Sequence, residues 1–273
     1  MNSAPPSARE LRVAPIARDA ANRLVRRLHY SGRVVNNSQV HLGVFWRGRL
    51  EGAMQWGPPM DRRKVLGLVS DTPWYGMLEL NRMAFSERLP RNSESRALGV
   101  ALRMMRQAYP QLQWLVSFAD ATQCGDGTIY RATGWYLTKL EKNRTIWRTP
   151  DGRDSINEVT ARTAGQKTRG YLGQWCPAFL EGRYPSADEM VAAGFRKIAG
   201  YQLRYMYFLD PAARARLAVP ILPYAEIAQR GARMYRGRRI NTAREAGNGA
   251  VQARSGGATP TRALHSSGAG AGR

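Results

Sequence analysis

Residues 94–109 set Ala97, Leu98, Ala101, Leu102, Met104, Met105, Ala108 and Tyr109 on a single helical stripe. A stripe of that width has to be buried against another element. The runs on either side of it change period. "YGMLELNRMAF" (75–85) turns Leu78 and Leu80 to one face and Glu79 and Asn81 to the other, and "QWLVSFAD" (113–120) is a short apolar strand. Asn92 or Ser93 can cap the helix, and Pro110 follows its end. Beyond it, Ile129-Tyr130-Arg131-Ala132-Thr133 reads as a short helix closed by Gly134, and "WYLTKLEKNRTIW" reads as strand again. Strand, helix, strand, short helix, strand in that order predicts an α/β fold, a mixed twisted sheet flanked by helices.

Upstream, Ala17, Ala20, Ala21, Leu24, Val25 and Leu28 recur at helical spacing over 16–29, with Arg18, Arg23, Arg26 and Arg27 on the exposed faces and Gly32 as the stop. Residues 39–56 read as two strands around the turn Arg47-Gly48, broken by Gly57-Pro58-Pro59. The block 61–74 has no clear period. Residues 148–200 read as a loop-rich insertion holding one capped helix in "SADEMVAAGF", and "YQLRYMYFLD" is a further strand. The chain therefore divides into a loose arm (1–10), one folded domain (11–236) and a Gly/Ala/Ser-rich basic tail (237–273) expected to be disordered.

Lys and Arg number 42 against 20 Asp and Glu, a net charge of +22. An excess of this size adds nothing to folding and suits a polyanionic partner, although a basic protein with no nucleic-acid role also fits it. The two cysteines, Cys124 and Cys176, form no CxxC pair, which argues against a disulfide framework and for a reducing cytoplasm. The N-terminal residues carry no apolar signal core, and no run reaches the length of a membrane span. No membrane partner is expected.

Five residues carry the candidate chemistry. Asp120 ends an apolar strand, where open sheets form their crevice; it suits a base or an amine-orienting group, and equally a cap for the following turn. Tyr130, on the first turn of the short helix, suits a proton donor or a packed core tyrosine with a satisfied hydroxyl. His29 stands at a helix C-terminus, whose dipole favours its charged form; it suits a base, a phosphate contact or a helix end without a role. Arg82, a charge in an apolar strand, must reach a carboxylate (Glu79, Glu51 or Asp120), solvent or a ligand anion. Ser95 lies in the loop-to-helix entry 86–96, whose N–H groups suit a phosphate, with Arg91, Asn92 and Ser93 as the cofactor-side candidates; Glu94 there opposes an anion. The histidines show no HxxH or HxD pattern, so no metal ligand set is defined. Trp46, Trp56, Trp74 and Tyr75 are stacking surfaces or core.

The order of these parts, ending in "GTIYRATGW", resembles the GNAT acyltransferase arrangement. More narrowly, "LHYSG", "HLGVFWRGRLEGAMQWGPP", "LELNRMAF", "SESRAL", "VSFAD", "GTIYRATGW" and "LRYMYFL" resemble the phage Mom proteins, which modify adenine in phage DNA and block host restriction. The resemblance spans about residues 28–209. It implies a GNAT-like catalytic domain, a carbamoylmethyl-like group added to N6 of adenine, double-stranded DNA as partner, an extruded target base, and roles for His29, Arg82, Ser95, Asp120 and Tyr130. Acyl-CoA is the donor that the GNAT arrangement implies. "RNSESR" nevertheless holds Glu94 and Arg96 where that arrangement has glycines, and aminoacyl-tRNA serves other members of the superfamily.

A non-catalytic basic DNA coat and an N-acyltransferase acting on another amine are the competing readings. A coat has no use for Asp120 and Tyr130 in one cleft, which is what the enzyme reading expects. On charge alone, affinity for duplex DNA should fall by at least about tenfold between roughly 50 and 200 mM salt, measured by fluorescence anisotropy; a flat response rejects the polyanion partner.

Overall fold

In the computed structural model the described residues are 7–143, 146–156, 161–162, 165–232, 234–235 and 238–239. Of the arm expected over 1–10, Ala8–Glu10 form a single 3-10 turn capped by Ser7. The tail expected over 237–273 lies outside the described residues apart from Arg238–Arg239, which pair with Met234–Tyr235.

The elements follow the periods of the sequence. β1 (Arg12–Pro15) leads into α1 (Arg18–Leu28). β2 (Val40–Trp46) and β3 (Arg49–Gly57) form a hairpin whose turn residues Arg47 and Gly48 both have positive φ, 49° and 77°. That is the twist a tight hairpin needs. β4 (Met77–Phe85), α2 (Ser93–Ala108) and β5 (Trp114–Asp120) make the strand–helix–strand unit. α3 (Ala121–Cys124), α4 (Thr128–Ala132) and β6 (Tyr136–Asn143) follow. The insertion carries the short strands β7 (Trp147–Arg148), β8 (Ser155–Ile156) and β9 (Arg196–Lys197), and a helix Ala187–Ala192 capped by Ser186 and Glu189. β10 (Gly200–Phe208) returns to the main sheet.

Seven strands lie in the order β1-β2-β3-β4-β5-β10-β6. Only β4 and β5 are parallel, so the sheet is mixed, as the order of strands and helices predicts. On one face α2 buries Leu98, Ala101, Leu102 and Met105 against Leu42, Met54, Trp56, Leu80 and Leu115. Trp56, Trp135 and Tyr205 fill the same layer, and Trp56 and Trp135 stack at 6.4 Å. Trp56 is thus core and not a stacking surface for a ligand, whereas Tyr75 is 71% exposed. The other face is covered by α1 at one end. Further along it is covered by the block that had no clear period: a 3-10 turn at Arg62–Lys64 drops Val65, Leu68 and Val69 onto Met77, Trp114, Val116, Met206 and Phe208. The insertion closes a small core of its own around Trp147, Leu172, Phe179, Met190 and Phe195.

Asn92 occupies the position before α2 but adopts a left-handed backbone, φ 67°, and its side chain caps nothing. Gly127 matters more. Its φ is 72°, and a Cβ there would meet the Tyr205 ring at 2.5 Å. Only glycine lets α4 lie this close to the sheet.

Replacing the fully buried Trp135 by Ala should cost about 3–5 kcal/mol of stability, read as a lower urea midpoint.

Candidate active site

The ladder between β4 and β5 runs only from Met77–Trp114 to Glu79–Val116. Beyond it the strands part. At the start of the gap Ser117 Oγ lies 3.5 Å from Leu80 O and 2.8 Å from the Tyr130 hydroxyl. Tyr130 is 8% exposed, stacked on Tyr205 at 4.7 Å and edge-on to Trp135. It is a packed tyrosine with a bonded hydroxyl, and that hydroxyl sits where the sheet opens.

Asp120 does not share a crevice with it. Side chains alternate along β5: Leu115 and Ala119 belong to the α2 layer with Tyr130, while Trp114, Val116 and Phe118 belong to the opposite layer. Asp120 continues the Phe118 side. The register with β10 sets it beside Gln202, as it sets Phe118 beside Arg204. Asp120 Oδ1 also caps α3 by accepting the Thr122 N–H at 2.9 Å. Burial pushes its carboxyl above the ordinary range, with the Thr122 hydrogen bonds opposing. The expectation that the carboxylate and the phenol face one cleft is thus corrected: they lie on opposite faces, on either side of the opening.

The face that carries Asp120 also carries Arg82. A bulge in the β3–β4 pairing sets Gln55 opposite Arg82 and Trp56 opposite Leu80, so Asn81 is the extra residue. Gln55 reaches Asn22 of α1, which marks the α1 side. Arg82 donates from Nε to Arg33 O (2.8 Å) and from Nη1 to Asn81 O (2.6 Å). Glu51 is engaged elsewhere, with Arg49 and Arg88. Glu79 lies on this face with its Oε2 taking the Met60 N–H at 3.1 Å. Burial raises its carboxyl, and Met60 and the Arg82 cation pull it back.

His29 ends α1 beside this group. Its Nδ1 accepts the Ser31 N–H at 3.1 Å and lies 2.8 Å from Ser31 Oγ, so the ring proton sits on Nε2. Burial, then the Arg82 cation, lower its pKa to about 3. The helix dipole was expected to favour a charged ring; desolvation and the neighbouring guanidinium outweigh it, and His29 is neutral.

The α2 entry differs from expectation too. The Ser93 hydroxyl is buried and donates to Pro90 O, so it faces no ligand, and Ser95 Oγ donates to Asn92 O at 3.2 Å. Arg91 and Asn92 are exposed. The Arg88, Leu89 and Ser93 N–H groups are engaged within the loop, and Glu94 stands in the first helical turn. For a coenzyme pyrophosphate the exposed Arg91 beside a glycine-free helix entry that carries Glu94 is a weaker cradle than a glycine-rich loop makes.

Below β5, on the Asp120 face, a cavity of about 380 Å³ is lined by Arg63, Lys64, Phe118, Lys139, Gln202 and Arg204, with Leu66, Leu68 and Glu141. None of these drew notice in the sequence. The reasoning applied to Arg82, a charge in an apolar strand, applies equally to Arg204 in "YQLRYMYFLD". Among the described residues no group of three or more His, Cys, Asp or Glu gathers as a metal site, and no helix is long and apolar enough to cross a membrane.

Residues 10–226 match the Mom protein family. The chain belongs to the Mom protein family. A curated relative, methylcarbamoylase mom of Escherichia phage Mu, is 35% identical over 210 residues, covering 77% of this chain and 80% of that protein. This Mom family chain is a transferase. In shape it is similar to a tandem GNAT protein of the clavulanic acid pathway, at 9% identity and TM-score 0.45, over 74% of this chain and 99% of that one. It is also similar to a GNAT family acetyltransferase from Elizabethkingia anophelis with acetyl-CoA bound, at 10% identity and TM-score 0.34, over 73% and 98%.

The neutral His29 has a consequence for stability. In the unfolded chain it titrates near 6.5 and in the fold near 3, so between those values the unfolded state binds more protons. The stability it contributes is complete above pH 6.5 and is lost as pH falls toward 3. The imidazole nitrogens should therefore show the neutral Nε2–H form by NMR throughout about pH 5–8, and His29→Asn should flatten the stability profile between pH 6.5 and about 3.

Proposed function

We propose that this chain is a phage DNA-modification enzyme that adds a carbamoylmethyl-like group to N6 of adenine, shielding the DNA from host restriction. Family membership and the Mu methylcarbamoylase support the reaction class, and the net charge of +22 supports a DNA partner. The observation that carries the site is Asp120. It is a largely desolvated carboxylate beside a cationic cavity, on the same face as Arg82 and at the edge of an opening whose far side holds the Tyr130 hydroxyl.

The exocyclic amine of adenine is a poor nucleophile because its lone pair is delocalised into the ring. Asp120, ionised, accepts the N6 proton as the new C–N bond forms. The bond from the transferred carbon to its leaving group breaks toward the opening, and Tyr130 protonates that group, with Ser117 holding the phenol. Arg82 stabilises the negative charge that develops. His29, neutral and without a positive charge of its own, positions the Arg82 side of the site. N6 lies inside the duplex, so the base is extruded before reaction. The donor arrives on the α2 side of the opening. A carbamoylmethyl group is joined to N6 through its methylene carbon, so its donor carries the leaving group on that carbon; acyl-CoA or aminoacyl-tRNA, attacked at the carbonyl, releases a thiol or a tRNA hydroxyl and leaves an N6-acyl adenine instead.

Nucleoside mass spectrometry of DNA from cells expressing the protein should show a new modified adenosine. Asp120→Asn and Tyr130→Phe should each lower its yield by about 100-fold or more while retaining DNA binding. Because burial raises the Asp120 carboxyl, the acid limb of the rate should lie above the ordinary carboxylate range and vanish in Asp120→Asn. An unmodified nucleoside pool with intact DNA binding would leave a DNA coat.

A further inference from the structure

The cavity on the Asp120 face has a floor and a rim of different construction. Its floor is a row of cross-strand neighbours, Phe118 on β5, Arg204 on β10 and Lys139 on β6, followed by a second row, Gln202 and Glu141, with Asp120 the ladder partner of Gln202 just outside the lining. Its rim is Arg63 and Lys64 on the 3-10 turn, with Leu66 and Leu68 behind them.

Arg204 is 7% exposed. Its guanidinium donates to Thr138 Oγ1 (3.0 Å) and Thr138 O (3.2 Å), both neutral, and it makes no ion pair with a carboxylate among the described residues. A buried cation held only by neutral acceptors is costly unless an anion completes it. The other cations of the cavity are already matched: Lys139 pairs with Glu141 at 2.7 Å, and Arg63 and Lys64 lie by Asp61. Glu141 keeps an anion away from that corner and directs it to Arg204. Beside Arg204, Phe118 shows part of its ring, and the Gln202 side-chain amide makes no hydrogen bond to a described residue.

A buried guanidinium suits a phosphate, an aromatic face suits a nucleobase, and a glutamine amide matches the donor–acceptor edge of adenine. A cavity of about 380 Å³ is of the size that takes a small ligand of this kind. We propose that this cavity is the seat of the extruded nucleotide: Arg204 takes its phosphate, Phe118 stacks its base, and Gln202 reads its adenine edge. The proposal rests on the DNA-modification reading and adds to it the acceptor pocket, which brings the exocyclic amine to Asp120, the neighbour of Gln202 in the ladder.

The test is calorimetric titration of the full chain with deoxyadenosine monophosphate, deoxyadenosine and deoxycytidine monophosphate. Deoxyadenosine monophosphate should bind about tenfold or more tightly than deoxyadenosine, and Arg204→Met should remove that advantage. Gln202→Leu should bring the adenine and cytosine nucleotides to similar affinity. Lys139→Met, at a half-exposed position on the cavity floor, should weaken the nucleotide severalfold if Arg204→Met does not fold. Equal affinity for deoxyadenosine and its monophosphate overturns the proposal. So does a folded Arg204→Met protein that binds the nucleotide like the parent. A Gln202→Leu protein that still prefers adenine overturns the base-reading part. The two readings fail separately. Modified adenosine in cells without Arg204-dependent nucleotide binding sinks the pocket alone, and nucleotide binding without modified adenosine sinks the reaction alone.

Discussion

Parallel pairing between β4 and β5 stops at Glu79 and Val116, and the site follows from that failure. A sheet that stayed paired would separate its two faces completely. Here the bulge at Asn81 turns β4, Ser117 and the Tyr130 phenol occupy the start of the gap, and the backbone edges beyond are released from the ladder. Residues on opposite faces thereby come to border one opening. The position of α4 is fixed from behind, by Gly127 against the Tyr205 ring and by the stacking of Tyr130 on Tyr205. The phenol is held by its layer, and its reach toward the opening is a hydroxyl's length.

Electrostatics divides the same region unevenly. On the α1 side burial works against every charge, raising the carboxyls of Asp120 and Glu79 and emptying His29 of its proton. Arg82 donates to two carbonyls, Arg33 O and Asn81 O. A site with a reluctant carboxylate and a carbonyl-anchored guanidinium is poised to lose or stabilise one unit of charge, as proton transfer from a weak amine requires.

Much of the fold was legible because its elements are long and their periods pure. The stripe of α2, the alternation of β4 and the Arg47-Gly48 turn each carry a local signature that tertiary packing had no reason to override. Asp120 and Tyr130 were legible as residues but not as a pair, since the face of a strand-end carboxylate depends on register with β10, about eighty residues away in the chain and set by tertiary pairing. His29 was misjudged because a helix dipole is visible in sequence and burial is not. The block 61–74 had no period because it packs single residues, Val65, Leu68 and Val69, from a turn. Ser93 looked like an anion contact by type; its burial against Pro90 is a property of the loop's path.

The cavity joins two materials. Phe118, Gln202 and Arg204 project from strands locked in a ladder, whereas Arg63 and Lys64 ride on one 3-10 turn with side chains 91% and 56% exposed. An incoming molecule meets long, rotating ammonium and guanidinium arms first and rigid, close-set groups last. Capture is thus tolerant of the route and the flanking shape of what arrives, and selection is deferred to the depth of the pocket, where nothing can yield.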